Sequence, residues 1–318
     1  MSNRSAMPTR IVAGTAHPGL AAAVAAALGV RPVPCDVERF PDGELRPIVH
    51  GVQGGDVYVV QPTGPAVNDH LVELLLLLDA CRRGGAEIVT AVVPYFGYAR
   101  QDRRDRAGQA VGARVALDAL ASAGADRLVV VEPHAVALEA MCPVPVEMLT
   151  AVPILADELA DLTPETAVLV APDLGAVKPA EHYARLLRRP VAVVRKTRVS
   201  GESVHAEELV GDVEGRPAVI VDDMISTGGT IEAAVRVLLD HGASPDFTVA
   251  AAHGPLVPAA RDRLGRLPIR CLLVTDTLPV GEARAAARLR VRSVGPLIAD
   301  AIGRLHHGQS LDTLLVGG

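Results

Sequence analysis

The chain has 318 residues, of which 49% are hydrophobic and 2% aromatic, with no Trp and a formal net charge of −6 at pH 7. That length suits two cores, the Ala, Val and Leu excess is that of parallel strands covered by helices, and the negative balance excludes a general nucleic-acid surface. The most apolar helical run, Leu71–Ala80, carries Glu73 and Asp79 and is too short for a bilayer; no signal core follows the polar Met1–Ser5; and Cys35, Cys81, Cys142 and Cys271 match no metal spacing. These features predict a cytoplasmic protein with neither nucleic-acid nor membrane partners.

Ile11–Gly14 reads as a short strand, and His17-Pro18-Gly19 leads into an Ala-rich helix ending near Gly29. Phe40-Pro41-Asp42-Gly43-Glu44 follows, with one of only three Phe residues in a polar turn. It is either an ordinary hairpin turn or a purine contact, with Phe40 on the ring face and Asp42 and Glu44 accepting from an exocyclic amine. Asp56–Val60 is a strand that passes through Gln61-Pro62-Thr63-Gly64 into a helix capped by Asn68 or Asp69 and running to about Arg83.

The strand Glu87–Pro94 enters Tyr95-Phe96-Gly97-Tyr98-Ala99-Arg100-Gln101-Asp102-Arg103-Arg104-Asp105-Arg106. Such a charge run is either a solvated loop or, at the carboxyl end of an apolar strand, a binding loop. Arginine forks there suit triphosphate oxygens, and Gln101 suits a base edge. A helix is predicted over Gly112–Ser122, then a strand Leu128–Val131 ending in Glu132-Pro133-His134. His134 is structural or a metal or phosphate contact.

The crossing between domains is expected around Thr150–Pro153. Ala167–Ala171 is a strand followed by Pro172-Asp173-Leu174-Gly175-Ala176, a turn whose amides suit a diphosphate while Asp173 holds Mg²⁺. Val191–Val194 ends in Arg195-Lys196-Thr197-Arg198, and the polar stretch to about Glu208 reads as a mobile flap carrying cations, or as a basic strand end.

Pro217–Val221 then carries Asp222-Asp223-Met224-Ile225-Ser226-Thr227-Gly228-Gly229-Thr230 into a 3.6-period helix to Asp240. The glycines permit close backbone approach, and the helix-start amides with the Ser226, Thr227 and Thr230 hydroxyls suit a phosphate. Asp222 and Asp223 stand where carboxylates accept from vicinal hydroxyls or hold a metal. A sugar phosphate meets both demands, and Gln61-Pro62 at the matching place in the first half reads as the fold repeated without that site. Phe247–Ala252 and Cys271–Val274 are further strands, and a helix near Pro296–Leu305 closes the chain.

The Asp222–Thr230 stretch resembles the phosphoribosyl diphosphate (PRPP) signature of type I phosphoribosyltransferases and ribose-phosphate pyrophosphokinases. With Phe40–Glu44, Val93–Arg104, His134, Pro172–Gly175, Lys196 and Arg198, nearly the whole chain resembles the pyrophosphokinase family. The resemblance implies two tandem α/β domains of type I phosphoribosyltransferase-like, Rossmann-like form with mainly parallel sheets. The first spans 8–150, the second 151–293, and 294–318 packs back on the first. The implied reaction is transfer of the diphosphoryl group of ATP to ribose 5-phosphate, giving PRPP and AMP with Mg²⁺ as cofactor.

By the same resemblance, Phe40, Asp42, Gly43, Glu44, Arg100, Gln101, Asp102, Arg103 and His134 bind ATP, with Glu44 reaching in from a neighbouring subunit. Asp222, Asp223, Ser226, Thr227, Gly228, Gly229 and Thr230 bind ribose 5-phosphate, and Asp173, Leu174, Gly175 and Ala176 form the diphosphate loop. His134 and Asp173 serve the metal, and Lys196 and Arg198 act in catalysis. The implied assembly is a homo-oligomer built from dimers, as a tetramer or hexamer. Ser226, where the commonest bacterial pattern has Asp, and Ala176-Val177-Lys178 resemble archaeal-type members; Glu132 replaces Asp, and Thr197 interrupts a Lys-Arg-Arg run. A phosphoribosyltransferase, a silent synthetase-associated subunit and a diphosphokinase using another pentose phosphate stand as alternatives.

Overall fold

Apolar β-branched runs alternate with helices along the chain, and the result is α/β with mainly parallel sheets, as the sequence predicts. The structure is a computed structural model that describes residues 4–199, 204–255, 257–280 and 288–317, and only the backbone of 196–199, 204–207, 258 and 259. The chain divides into two units, Met1–Thr150 with Thr277–Pro279 and Ser293–Gly318, and Ala151–Asp276 with Val280–Arg292.

In the first unit the order is β1 (Thr9–Ala13), α1 (Pro18–Ala27), β2 (Cys35–Arg39), β3 (Leu45–Val49), β4 (Asp56–Val60), α2 (Val67–Arg83), β5 (Ile88–Val93), α3 (Gly112–Ser122), β6 (Arg127–Val131), α4 (Leu138–Met141) and β7 (Val146–Leu149). The sheet runs β1-β4-β5-β6-β7, every neighbouring pair parallel, while β2 and β3 form a separate antiparallel hairpin. Every residue of β4 is buried, as a strand covered on both faces requires. The core joins Val57, Val59 and Val93 to Leu74, Leu77 and Leu117 of the covering helices.

The Phe40 turn is thus a hairpin turn: the Phe40 amide donates to the Glu44 carbonyl at 2.8 Å, and the Gly43 amide to the Phe40 carbonyl at 2.9 Å. The start of α2 differs from expectation. Its cap is Ala66, at φ 65° and without a side-chain hydrogen bond, so Asn68 and Asp69 lie inside the first turn. There Asp69 faces the positive end of the helix dipole, and Asn68 accepts from the Tyr98 hydroxyl.

The second unit contains α5 (Val152–Leu162), β8 (Val168–Ala171), α6 (Val177–Leu187), β9 (Val191–Val199), β10 (Val204–Val210), β11 (Ala218–Met224), α7 (Gly229–Asp240), β12 (Phe247–His253), α8 (Pro258–Gly265), β13 (Ile269–Thr275) and β14 (Leu289–Arg292). Its sheet runs β10-β9-β8-β11-β12-β13-β14. The segment expected as a flap from Arg195 to Glu208 is mostly regular: β9 and β10 pair antiparallel from Val193↔Val210 to Val199↔Val204. A strand at the sheet edge has one side open to water, which is why its polar residues hid the pairing.

Element order repeats between the units, with β1, the β2–β3 hairpin, β4, β5 and β6 answering β8, β9–β10, β11, β12 and β13. One difference matters for function. The second sheet starts in its middle at β8, moves outward to β10, and returns across β8 to β11, so β8 and β11 flank a reversal of strand order. The first sheet advances in one direction from β1 to β7. In open α/β sheets ligands gather at the carboxyl ends of strands flanking such a reversal.

The chain ends in the first unit. α9 (Gly295–His307) packs on α1, where a side chain at Gly295 would meet the Ala23 Cβ at 3.2 Å. Beneath it the fully buried Asp56 carboxylate accepts from Arg4 Nε and Nη2, both at 2.9 Å, and from the Tyr58 hydroxyl at 2.9 Å, with His306 Nδ1 also at 2.9 Å.

Candidate functional site

β11 carries a buried Val219-Ile220-Val221 run and then emerges, leaving Asp222 and Asp223 at its carboxyl end. The Asp223 amide donates to Asp222 Oδ1 at 2.9 Å, and the Ile225 amide to the His253 carbonyl at 2.9 Å. The chain then turns through Ser226 and Thr227 into α7. Gly228 is the N-cap at φ 75°, a left-handed conformation that suits glycine. It offers no side-chain cap, so the first amides of α7, from Gly229, Thr230 and Ile231, begin a 12-residue helix with their donors uncapped by Gly228. A helix start of this kind can receive an anion.

Beside it lies the loop after β8. Asp173 Oδ1 accepts from the Gly175 amide at 2.9 Å and the Ala176 amide at 3.2 Å, so the carboxylate folds over the amides that the sequence assigns to a diphosphate. Leu174 is exposed, and Ala176 is the N-cap of α6. Burial, then the charge of Asp223, then that of Asp173 push the Asp222 carboxyl up to about 8. Asp222 at the end of β11 thus feels the charge of Asp173 after β8, across the reversal. A carboxylate there suits Mg²⁺, which is typically held by one or two carboxylates with waters and substrate phosphates. Among the described residues no group of three or more His, Cys, Asp and Glu could hold a metal ion.

Lys196 and Arg198 stand in β9 opposite Glu207 and His205 of β10; their side chains lie outside the described residues.

In the first unit the ATP candidates fall on three segments. Phe40 is half-buried in the β2–β3 turn with the Arg46 guanidinium 5.0 Å from its ring centroid, and Asp42, Gly43 and Glu44 are exposed. Asp42 Oδ1 accepts from the Glu44 amide at 3.2 Å. Arg100, Gln101 and Arg103 are exposed and Asp102 half-buried in the loop after β5. Its start is pinned from beneath: Thr63 Oγ1 accepts from the Gly97 amide at 2.7 Å, and the Gln101 amide donates to the Tyr98 carbonyl at 2.8 Å. A side chain at Gly97 would meet the Thr63 carbonyl at 2.5 Å. His134 is exposed past the end of β6, the strand beside β5, so its segment and the arginine loop leave the same edge of the sheet. Glu132, at φ 41°, accepts from Thr150 Oγ1 at 3.0 Å.

Arg263 of α8 is one residue of this neighbourhood that sequence reading passes over. Its Nη1 donates to the Thr227 carbonyl at 2.7 Å and its Nε pairs with Glu232 at 2.9 Å. The contact joins residues 36 positions apart, and a lone Arg on a short helix gives no local signal of it.

Known proteins resemble this chain over most of its length. A family described as the N-terminal domain of ribose phosphate pyrophosphokinase matches residues 9–124, and one described as the phosphoribosyl synthetase-associated domain matches 205–316. The ribose-phosphate pyrophosphokinase of Caldanaerobacter subterraneus is 39% identical over 307 residues, covering 96% of this chain and 97% of that one. That of Gloeobacter violaceus is 39% identical over 307 residues, covering 96% and 92%. The crystal structure of phosphoribosylpyrophosphate synthetase from Mycobacterium smegmatis has a TM-score of 0.87 at 37% identity, covering 95% of this chain and 99% of that one.

Proposed function

The chain belongs to the ribose-phosphate pyrophosphokinase family, and we propose that its residues divide the work of that reaction between the two units. The protein is a ribose-phosphate diphosphokinase: it transfers the β,γ-diphosphoryl group of ATP to the anomeric hydroxyl of ribose 5-phosphate, giving PRPP and AMP. The observation that carries the assignment of parts is the open start of α7 following Asp222 and Asp223 at the end of β11, next to the β8 loop with Asp173 folded over its own amides, at the β8/β11 reversal.

In our reading the α7 amides and the Ser226, Thr227 and Thr230 hydroxyls take the 5-phosphate, with Gly228 and Gly229 giving the backbone room. Asp222 and Asp223 accept from the ribose hydroxyls, which orients the anomeric oxygen for in-line attack on the β-phosphorus. The loop of Asp173, Leu174, Gly175 and Ala176 takes the diphosphate. Asp173 then releases the Gly175 and Ala176 amides to the incoming oxygens, one acceptor replacing another.

Phe40, Asp42, Gly43 and Glu44 hold adenine, Arg100, Gln101, Asp102 and Arg103 hold the nucleotide, and His134 the phosphates. Lys196 and Arg198 supply positive charge to the transferred group, the term that dominates when no protein nucleophile takes part. Mg²⁺ would be held by Asp173 in the second unit and by His134 in the first, each beside the phosphates its own unit binds, and would neutralise phosphate charge. We further propose a homo-oligomer built from dimers and a place in the cytoplasm. No described helix is long and apolar enough to cross a membrane.

A phosphorus NMR time course with purified protein, MgATP and ribose 5-phosphate tests the reaction: AMP and PRPP should rise in equal amounts. A protein that leaves ATP unconsumed with every pentose phosphate refutes it. Lys196→Ala should keep ATP binding and lose most turnover, and unchanged turnover would remove the charge role given to β9.

A further inference from the structure

A loop that binds phosphate through its amides must turn its carbonyl oxygens elsewhere, because a carbonyl facing the anion repels it. In this protein the α8 segment claims two successive loop carbonyls. The Val257 amide donates to the Ser226 carbonyl at 3.3 Å, and Arg263 Nη1 donates to the Thr227 carbonyl at 2.7 Å. The next residue is held by packing: a side chain at Gly228 would meet Leu264 Cγ and Cδ2 at 3.2 Å. Three consecutive residues of the loop therefore rest on one neighbouring segment.

Arg263 is itself fixed by Glu232, on the first turn of α7, through its Nε at 2.9 Å. The pair closes a bracket from α8 to the Thr227 carbonyl and back to the helix whose start receives the anion. Its charges have opposite consequences there. The guanidinium lies close to the loop, 3.8 Å from where a side chain at Gly229 would begin, and favours a phosphate; the Glu232 carboxylate opposes it.

We propose that Arg263 is a positioning residue for the acceptor-phosphate loop, holding the Thr227 carbonyl away from the 5-phosphate while Glu232 holds Arg263 in place. The inference rests on the assignment of that loop to ribose 5-phosphate. In this role Arg263 acts through the Thr227 carbonyl, so its effect appears in affinity for the phosphorylated acceptor.

The test measures KM for each substrate and, by calorimetry, direct binding of ribose 5-phosphate, for the wild type, Arg263→Ala, Arg263→Lys and Glu232→Gln. Arg263→Ala should raise KM for ribose 5-phosphate roughly tenfold, the scale of one lost charge-assisted hydrogen bond, and leave KM for MgATP within about twofold. Arg263→Lys should recover part of the loss and serves in its place if the alanine variant does not fold. Glu232→Gln keeps an acceptor for Nε and removes the opposing charge, so KM for ribose 5-phosphate should hold or fall.

An unchanged acceptor KM in Arg263→Ala, an equal loss for both substrates, or a Glu232→Gln rise matching that of Arg263→Ala would overturn the proposal. If instead the wild type neither binds nor uses ribose 5-phosphate, the loop assignment fails, a result distinct from any variant outcome.

Discussion

Gly228 carries two constraints at once. Its φ of 75° is left-handed, and a side chain there would press on Leu264 at 3.2 Å. Gly228→Ala should cost about 1–2 kcal/mol of stability from the backbone alone and should weaken ribose 5-phosphate binding, because relief of the clash moves the loop; calorimetric affinity equal to that of wild type would contradict this. Asp222 gives a pH signature. Its carboxyl is raised from 3.8 to about 8 in the folded protein, so folding favours the protonated form. The contribution is fully present below about pH 4 and is lost as pH rises through about 8. Without substrate or metal, melting temperature should therefore fall between pH 6 and pH 9, and Asp222→Asn should shrink that fall. An identical decline in the variant would mean that other groups govern it.

Helix ends decide what is legible in a sequence and what is not. α3 matches expectation at both limits, and β1, β4, β6, β8 and β11 announce themselves as short β-branched runs. α2 was expected to start on a polar side chain and starts instead on Ala66, a residue with no capping signal. The β9–β10 pairing is hidden by cations along the end of β9 that runs past β8 and by the polar residues of the edge strand β10, and the Arg263 bracket by its purely tertiary nature. The phosphate loop was readable because all its parts, acids, hydroxyls, glycines and helix start, are contiguous. α6 shows a flaw the sequence does not reveal: it ends on Arg188 at φ 53°, a left-handed position that prefers glycine. Arg188→Gly should raise stability by about 0.5–1 kcal/mol, seen as a higher urea midpoint at unchanged slope; a lower midpoint would show that the Arg188 side chain holds more than its backbone costs.

At the scale of the whole molecule, the buried Asp56 carboxylate gathers segments far apart in sequence: Arg4 near the start, Tyr58 on its own strand, and His306 on the last helix. The Tyr58 hydroxyl is pushed well above its ordinary range, by burial first and the Asp56 charge next, so it remains a donor. Asp56→Ala leaves Arg4 and His306 facing a void and should cost about 3 kcal/mol, with chemical denaturation the measure; a cost below about 1 kcal/mol would mean that solvent replaces the carboxylate. The same cluster bears on the order in which the protein comes into being. Synthesis delivers Arg4 and Asp56 before the second unit, and the helix that carries His306 after it. The half assigned to the nucleotide is therefore completed later than the half that follows it in sequence, and on a translating ribosome the ribose-phosphate half is in hand while the other still waits for α9.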